Sequence, residues 1–409
     1  MQIDTFHLTY CTNIHAADGW DAVFANICRY APPLKARFAP AAPFGLGLRL
    51  SAREARELLE GDRLAQFRAF LDREGLYVAI INGFPYGPFH GTPVKEDVYA
   101  PDWRHDARVQ YTLDLITILS KLLPEGIDGG VSTAPLSYKA WVADKGESAW
   151  ETITQNVVRI ANVLVRLRAA TGALIHLDIE PEPDCSLENT DETIEFFERW
   201  LMPAGAPALA RSLETTEGAA REHLREHIRL CFDCCHFAVE YEDPAAALER
   251  FQKSGIRIGR IQLSSALEVS FPRDAREAAA TVAALRPFAD TTYLHQVVEP
   301  RAGGLVHYPD LGDALAATAT PPIREIGDTR KIRDWRIHFH VPLFAQEYES
   351  FASTQDYVRK VIGLAAESRV TRHLEIETYT WDVLPAGLKV DLLESIAREY
   401  EWVLGAIPR

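Results

Sequence analysis

Short apolar runs recur along the chain, separated by longer stretches whose apolar positions repeat every three or four residues. The runs at 5–13, 45–50, 76–83, 128–134, 173–180, 228–233 and 257–264 read as strands, and 372–378 supplies an eighth. Several intervening helices have legible ends. Residues 51–74 open on Ser51 with Glu54 three positions on, a capping-box pattern. In 149–170, Ile153, Val157, Ile160, Leu164 and Leu167 fall on one helical face, and Gly172 follows as a stop. Asp243 and Pro244 read as N-cap and first helical residue, with Gly255 as terminator. Leu388 to Leu404 reads as a final amphipathic helix. Alternating strands and helices imply parallel strands with right-handed crossovers. Eight such units predict an α/β fold, a closed (β/α)8 TIM barrel. An open doubly wound sheet would usually carry a glycine-rich phosphate turn, and neither GxGxxG nor a P-loop occurs.

Residues 266–371 exceed one strand–helix unit. They hold a helical stretch near 274–286, a hairpin pattern TTYLHQVVEP-RAGG-LVHYPDL, a loop over 317–333 and the strand-like RIHFHVPLF. We read this region as an insertion that caps the barrel between strands seven and eight, within a single domain spanning 1–409.

The strands break the rule that helix-covered parallel strands are apolar on both faces. Ile175, Leu177 and Ile179 oppose His176, Asp178 and Glu180; Leu230 and Phe232 oppose Cys231 and Asp233; Ile261 and Leu263 oppose Gln262 and Ser264. Leu374 and Ile376 oppose His373, Glu375 and Glu377, and in the first strand Phe6, Leu8 and Tyr10 oppose His7, Thr9, Cys11 and Asn13. The apolar sets must meet the helices, so the polar sets point into the barrel. Unpaired carboxylates there are costly to bury. Either a divalent cation gathers them at the C-terminal strand ends, or they form ion pairs with Arg229, Arg260 or Arg372.

Two motifs sharpen the first reading. Asp233-Cys-Cys-His236 ends strand six, where the Asp can ligate metal and the His can hold substrate; a helix-capping Asp is the plainer alternative. Glu180, Glu182 and Asp184 alternate with two prolines that fix an extended exit from strand five; a solvated acidic loop is the alternative. His338 and His340 share one face of HFHVPLF. His295 and His307, on opposite hairpin arms, are candidates for a lid, and Asn82, Phe84, Tyr86 and His90 follow strand three at the barrel mouth. The cysteines show no second CxxC and so no zinc-thiolate spacing.

Charge narrows the partners. The 409 residues carry 43 basic and 58 acidic groups, a net −15, without the basic footprint that nucleic acid or an anionic membrane requires. No apolar stretch is long enough to span a bilayer, and the start, MQIDTFHLTYCTN, resembles no signal peptide. The expectation is a soluble cytoplasmic protein with reduced thiols.

The pattern of a Glu ending strand five, Asp-x-x-His ending strand six, a polar residue on strand seven and a Glu on strand eight resembles the xylose-isomerase-like TIM barrels. More closely, YCTNIH (10–15), INGFPYGPFHG (81–91), VKEDVYAPDW (94–103), DIEPEPDC (178–185), CFDCCHFAVEYEDP (231–244), IQLSSAL (261–267), YLHQVVEP (293–300), HFHVPLF (338–344) and HLEIETYTWDVLP (373–385) resemble the EboE family of metabolite traffic proteins nearly end to end. The resemblance implies a divalent metal (Mn, Mg or Zn) on Glu180, Asp233, Glu377 and the strand-seven position. That position holds Gln262 instead of the usual His; either Gln262 completes the set or a histidine of the insertion does, His338 or His340, with His340 taken as the ligand. It further implies Glu180 and Glu377 as acid and base groups; their places at strand ends and in the insertion add His236 as catalytic, and Asn82, His90, Glu182, His295 and His338 as substrate-binding. The function expected is a metal-dependent sugar isomerase or epimerase acting on a small polyhydroxylated or carbonyl metabolite, with companion proteins of a secondary-metabolite pathway. The alternative is a non-catalytic metabolite-binding barrel. A nuclease is disfavoured by the charge.

Overall fold

The computed structural model describes residues 1–88, 90, 93–289, 292–318, 333–348, 351–382 and 391–408. Seven parallel strands come first: β1 (Phe6–Tyr10), β2 (Phe44–Arg49), β3 (Leu76–Asn82), β4 (Gly129–Thr133), β5 (Ile175–Ile179), β6 (Ile228–Asp233) and β7 (Ile258–Leu263). The chain then leaves the barrel through β8 (Ser265–Phe271), the hairpin β9 (Val297–Arg301) and β10 (Gly304–Tyr308), β11 (Arg333–Val341) and β12 (Phe351–Ser353). It returns as β13 (His373–Ile376). The parallel strands lie in the order β1-β13-β7-β6-β5-β4-β3-β2, and a bridge between Cys11 and Gly47 joins the two ends into a closed (β/α)8 barrel.

The helix ends follow their side chains. Ser51 and Glu54 exchange the expected reciprocal cap bonds, and Asp243 caps Pro244–Lys253. Gly172 ends Glu147–Thr171 in the left-handed conformation, the reason a glycine stands there. Three sequence expectations change. The stretch 51–74 is two helices, Ala52–Leu59 and Arg63–Glu74, parted at Gly61, whose φ of 59° breaks the first one. The terminal helix is Leu392–Ala406, and residues 383–390 lie outside those described. Of the loop expected at 317–333, residues 319–332 also lie outside them.

The insertion is an antiparallel sheet, β10-β9-β11-β8-β12, extended by the short strand Glu347–Tyr348. Its chain order explains why a local reading overran: Gln355–Ser368, inside the expected insertion, is the ordinary crossover helix that leads into β13 and packs beside Pro244–Lys253. Leu267, Val269, Trp335, Ile337 and Phe339 of the sheet share one apolar cluster with the barrel. That leaves the opposite face of β11, with Arg336, His338 and His340, turned toward the barrel mouth.

Candidate functional site

The barrel lumen holds two polar layers. In the deeper one, Arg260 of β7 is fully buried. Its Nε donates to Asp178 at 3.1 Å and its Nη1 to Glu375 at 3.3 Å, while Nη2 donates to the carbonyls of Ile81 (3.1 Å) and Gly130 (2.7 Å). Burial opposes its charge, but Glu375 and Asp178 hold the guanidinium protonated. Asp178 also accepts from His176. Glycines make the room: a Cβ at Gly130 would lie 2.2 Å from Asp178, at Gly259 1.9 Å from it, and at Gly47 1.8 Å from Glu375. Below, Asp128 faces His176, His373 and Arg229. The ion-pair alternative raised by the sequence is therefore realised, but only in this layer.

At the rim the composition reverses. Glu180 and Glu182 leave β5, Asp233 ends β6 and Glu377 follows β13, and all four are buried. Among the described residues no lysine or arginine forms an ion pair with any of them. Glu377 accepts from Asn13 Nδ2 at 2.8 Å and Asn82 Nδ2 at 3.1 Å. Burial, then Asp233 and Glu182, push Glu180 well above the usual carboxylate range; burial, then Glu180 and Asp233, do the same to Glu377. Burial raises Glu182 to about 7 against the pull of His236. Burial works on Asp233 too, but His236, His340 and the Ser264 hydroxyl outweigh it and keep this one group below its ordinary value.

Asp233 does two jobs. Its Oδ1 caps the short helix Cys234–Val239 by accepting from Cys235 N (2.7 Å) and His236 N (3.2 Å), and accepts from Ser264 Oγ at 2.6 Å. Its Oδ2 has no partner. The capping reading and the ligand reading thus use different oxygens. Glu180 Oε2, Glu182 Oε2 and His340 Nε2 are likewise buried without a hydrogen bond.

Three imidazoles meet these carboxylates, one from the barrel and two from β11. His236 Nδ1 donates to Pro181 O at 2.8 Å and His340 Nδ1 to Glu377 O at 2.8 Å. Gln296 donates its amide N–H to Pro183 O (3.1 Å), so its oxygen faces His338 Nδ1 at 2.7 Å and makes that nitrogen a donor as well. Each Nδ1–H is committed to an oxygen, and each Nε2 presents a bare lone pair. This is the arrangement by which outer groups fix metal-binding histidines. His236 and His338 bring their Nε2 atoms within 3.2 Å of each other. Burial and the neighbouring imidazoles keep His338 far below its usual pKa, and burial lowers His340 to about 4, so both remain neutral. Donor atoms of Asp233, His236 and His340 lie within 4.8 Å of one another, as do those of Glu182, His236 and His338. Orphaned oxygens and bare imidazole nitrogens converging without a cationic side chain fit a divalent cation.

The structure gathers Glu180, Asp233, Glu377, His236, His338, His340, Glu182 and Asn82 in one place. Gln262 is level with Asp233 on one side and with Glu375 on the other; its oxygen accepts from the Cys231 thiol at 3.0 Å, and its Nε2 is buried without a hydrogen bond. His295 and His90 stand behind the wall: His295 Nδ1 donates to His338 O (2.9 Å), and His90 bonds Asn13 O and the Tyr293 hydroxyl. His307 turns away to Glu240, 2.9 Å distant. Sequence reasoning missed Asn13 as a partner of Glu377, although it continues the polar alternation of the first strand. It also missed Ser264, Gln296 and the three tyrosines Tyr99, Tyr293 and Tyr379. Nothing local distinguishes those tyrosines from core residues. A cavity of about 520 Å³, its mouth included, stands above the cluster with Glu180, Glu182, His236, His340 and Glu377 at its floor.

No family model matches the chain, and no curated protein does. Solved structures similar to it include a xylose isomerase-like TIM barrel protein from Mycobacterium smegmatis in complex with magnesium, at 12% identity over 99% of this chain and 98% of that one, TM-score 0.48. A probable 3-DHS dehydratase AsbF involved in petrobactin synthesis from Bacillus anthracis is 10% identical over 97% and 99%, TM-score 0.47. An IolI protein with a bound zinc atom is 10% identical over 98% of both chains, TM-score 0.44.

Proposed function

We propose that this chain is a divalent-metal-dependent isomerase or epimerase that moves a proton at a carbon next to a carbonyl in a small polyhydroxylated metabolite. The observation that carries the reading is the rim itself: Asp233, His236 and His340 bring donor atoms within 4.8 Å of one another beside the cavity that Glu180 and Glu377 line, and Asp233 Oδ2, Glu180 Oε2 and His340 Nε2 lack partners. Asp233, His340, Glu180 and Glu377 would hold the ion. A mixed imidazole and carboxylate set suits Zn²⁺ or Mn²⁺ better than Mg²⁺, which prefers oxygen and water. When bound, the metal supplies electrophilic polarisation of a carbonyl or hydroxyl oxygen.

The protein's own groups supply the proton transfer. Glu182, pushed up to about 7 in the metal-free chain, would be ionised beside a bound cation and so available to accept a proton. Glu180 and Glu377 stand on separate strands facing the same space, and as ligands of the ion they would be ionised. Asn13 and Asn82 orient Glu377, and the cap strand with its histidines screens the floor from water. The resemblance to the EboE family supports placing the reaction in secondary-metabolite processing.

The test has two stages. Purified chain is analysed for bound metal, and α-proton exchange of dihydroxyacetone is then followed in deuterated water by NMR. Metal content near one equivalent or above, with exchange abolished by Asp233→Asn and Glu377→Gln, is expected. A chain that takes up no divalent ion would end the reading. A metal-loaded chain that binds ligands without exchange would favour the non-catalytic alternative.

A further inference from the structure

The acidic floor covers only part of the cavity. Above it the lining changes from carboxylate and imidazole to ring and alkyl. Tyr99 packs on Phe84 with ring centroids 5.9 Å apart, and on its other side stacks against Tyr138 at 5.4 Å and 7°. Tyr293, from the cap, meets Tyr379 edge-on at 5.2 Å, and Tyr379 lies 4.5 Å from the His340 ring. These are two separate apolar clusters joined through Val98, and both border the cavity.

The only cationic side chain in the described lining is Lys95, which is engaged already. Its Nζ lies 2.6 Å from Asp310 and donates to Tyr293 O at 2.7 Å. Besides Lys95 the described lining holds no lysine or arginine to pair an anionic substituent. Asn13 Oδ1, buried and without a donor, faces the same floor and is suited to accept from a hydroxyl.

A sugar phosphate would demand a basic clamp and leave the aromatic walls without a role. The walls instead match a ring. We propose that the site takes an uncharged, unphosphorylated molecule with a vicinal hydroxyl–carbonyl or diol head at the acidic floor and an aromatic or other apolar ring between Tyr99 and Tyr293. The proposal rests on the rim being the binding floor, as argued above, and adds the class of ligand.

Three probes share one head and differ only in the remainder: 2-hydroxyacetophenone (a phenyl ring), dihydroxyacetone (a hydroxymethyl group) and dihydroxyacetone phosphate. Their dissociation constants are measured by calorimetry on the full chain loaded with Mn²⁺, and again after chelation. The phenyl probe is expected to bind about tenfold more tightly than dihydroxyacetone, as burial of a ring predicts. The phosphate is expected to gain nothing. Tyr293→Ala, and the milder Val98→Ser should the first not fold, are expected to erase most of the phenyl advantage while leaving metal content unchanged. The proposal is overturned if the phosphate binds as tightly as the phenyl probe, or if a folded wall variant keeps the full advantage. Failure of the metal reading has a different signature, absence of bound metal and indifference of all three affinities to chelation, and the ranking of phenyl over phosphate still decides the ligand class.

Discussion

Two layers of one barrel lumen, a few ångströms apart along its axis, solve the same problem in opposite ways. Both bury carboxylates on inward-facing strand positions. The deep layer carries its own cation: Arg260 bridges Asp178 and Glu375, and glycines on β2, β4 and β7 clear the space for it. Among the described residues the rim carries no lysine or arginine paired with its carboxylates, which stand beside the neutral His338 and His340. Glu375 and Glu377 stand two residues apart on the same face of the chain, yet one is a structural anion and the other a candidate ligand. What separates them is the neighbour, not the residue type. A buried charge paired by the fold is a structural element; one left unpaired is held for something the fold does not supply.

The sharpest way to break the contrast is to remove a charge from each layer. Arg260→Met leaves Asp178 and Glu375 buried without their cation and should cost about 3–5 kcal/mol in urea unfolding. Glu377→Gln in chelated protein removes a repelling charge and should leave stability unchanged or raised. If both lose stability alike, the layers are not different in kind.

The pH dependence of metal-free protein is next in size. Glu182 has a folded pKa of about 7, above its unfolded value. Between the two, the folded chain holds a proton that the unfolded chain has released, so stability falls as pH rises from about 4.5 to 7. The difference between wild type and Glu182→Gln across that window isolates the group, and should approach about 3 kcal/mol. Saturating Zn²⁺ should abolish the decline, because the metal favours the ionised form. An identical pH profile for the two proteins would contradict the burial assigned to Glu182.

The smallest effect probes the space around Arg260. Gly130→Ala places a methyl 2.2 Å from Asp178 Oδ2 and should destabilise by about 1–3 kcal/mol in the same assay. Bound metal at the rim should persist, since the rim does not depend on that glycine. Loss of metal in a folded Gly130→Ala chain would mean the layers are coupled.

Much of this was legible before any coordinates. Period-two alternation named the inward set on β5, β6, β7 and β13, and the rim contains Glu180, Asp233 and Glu377 as expected. His338 and His340 share a face of a strand-like run, and the structure turns that face toward the barrel mouth. Alternation says that Gln262 points inward, but not that the Cys231 thiol takes its oxygen. His295 and His307 are hairpin residues whose directions depend on how the cap sheet docks. The split of 51–74 at Gly61 was local and readable, yet the apolar pattern on both sides concealed it.

The chain by itself determined which side chains face inward, where most helices start and stop, and that eight strand units would close, because those properties depend on neighbours a few residues away. Depth along the barrel axis, the pairing of Arg260 with one carboxylate and not another, and the delivery of two imidazoles from β11 over the mouth were decided by the tertiary structure. They depend on register between strands and on the docking of one sheet against another. Contacts between residues far apart in sequence set both, and no local pattern encodes them.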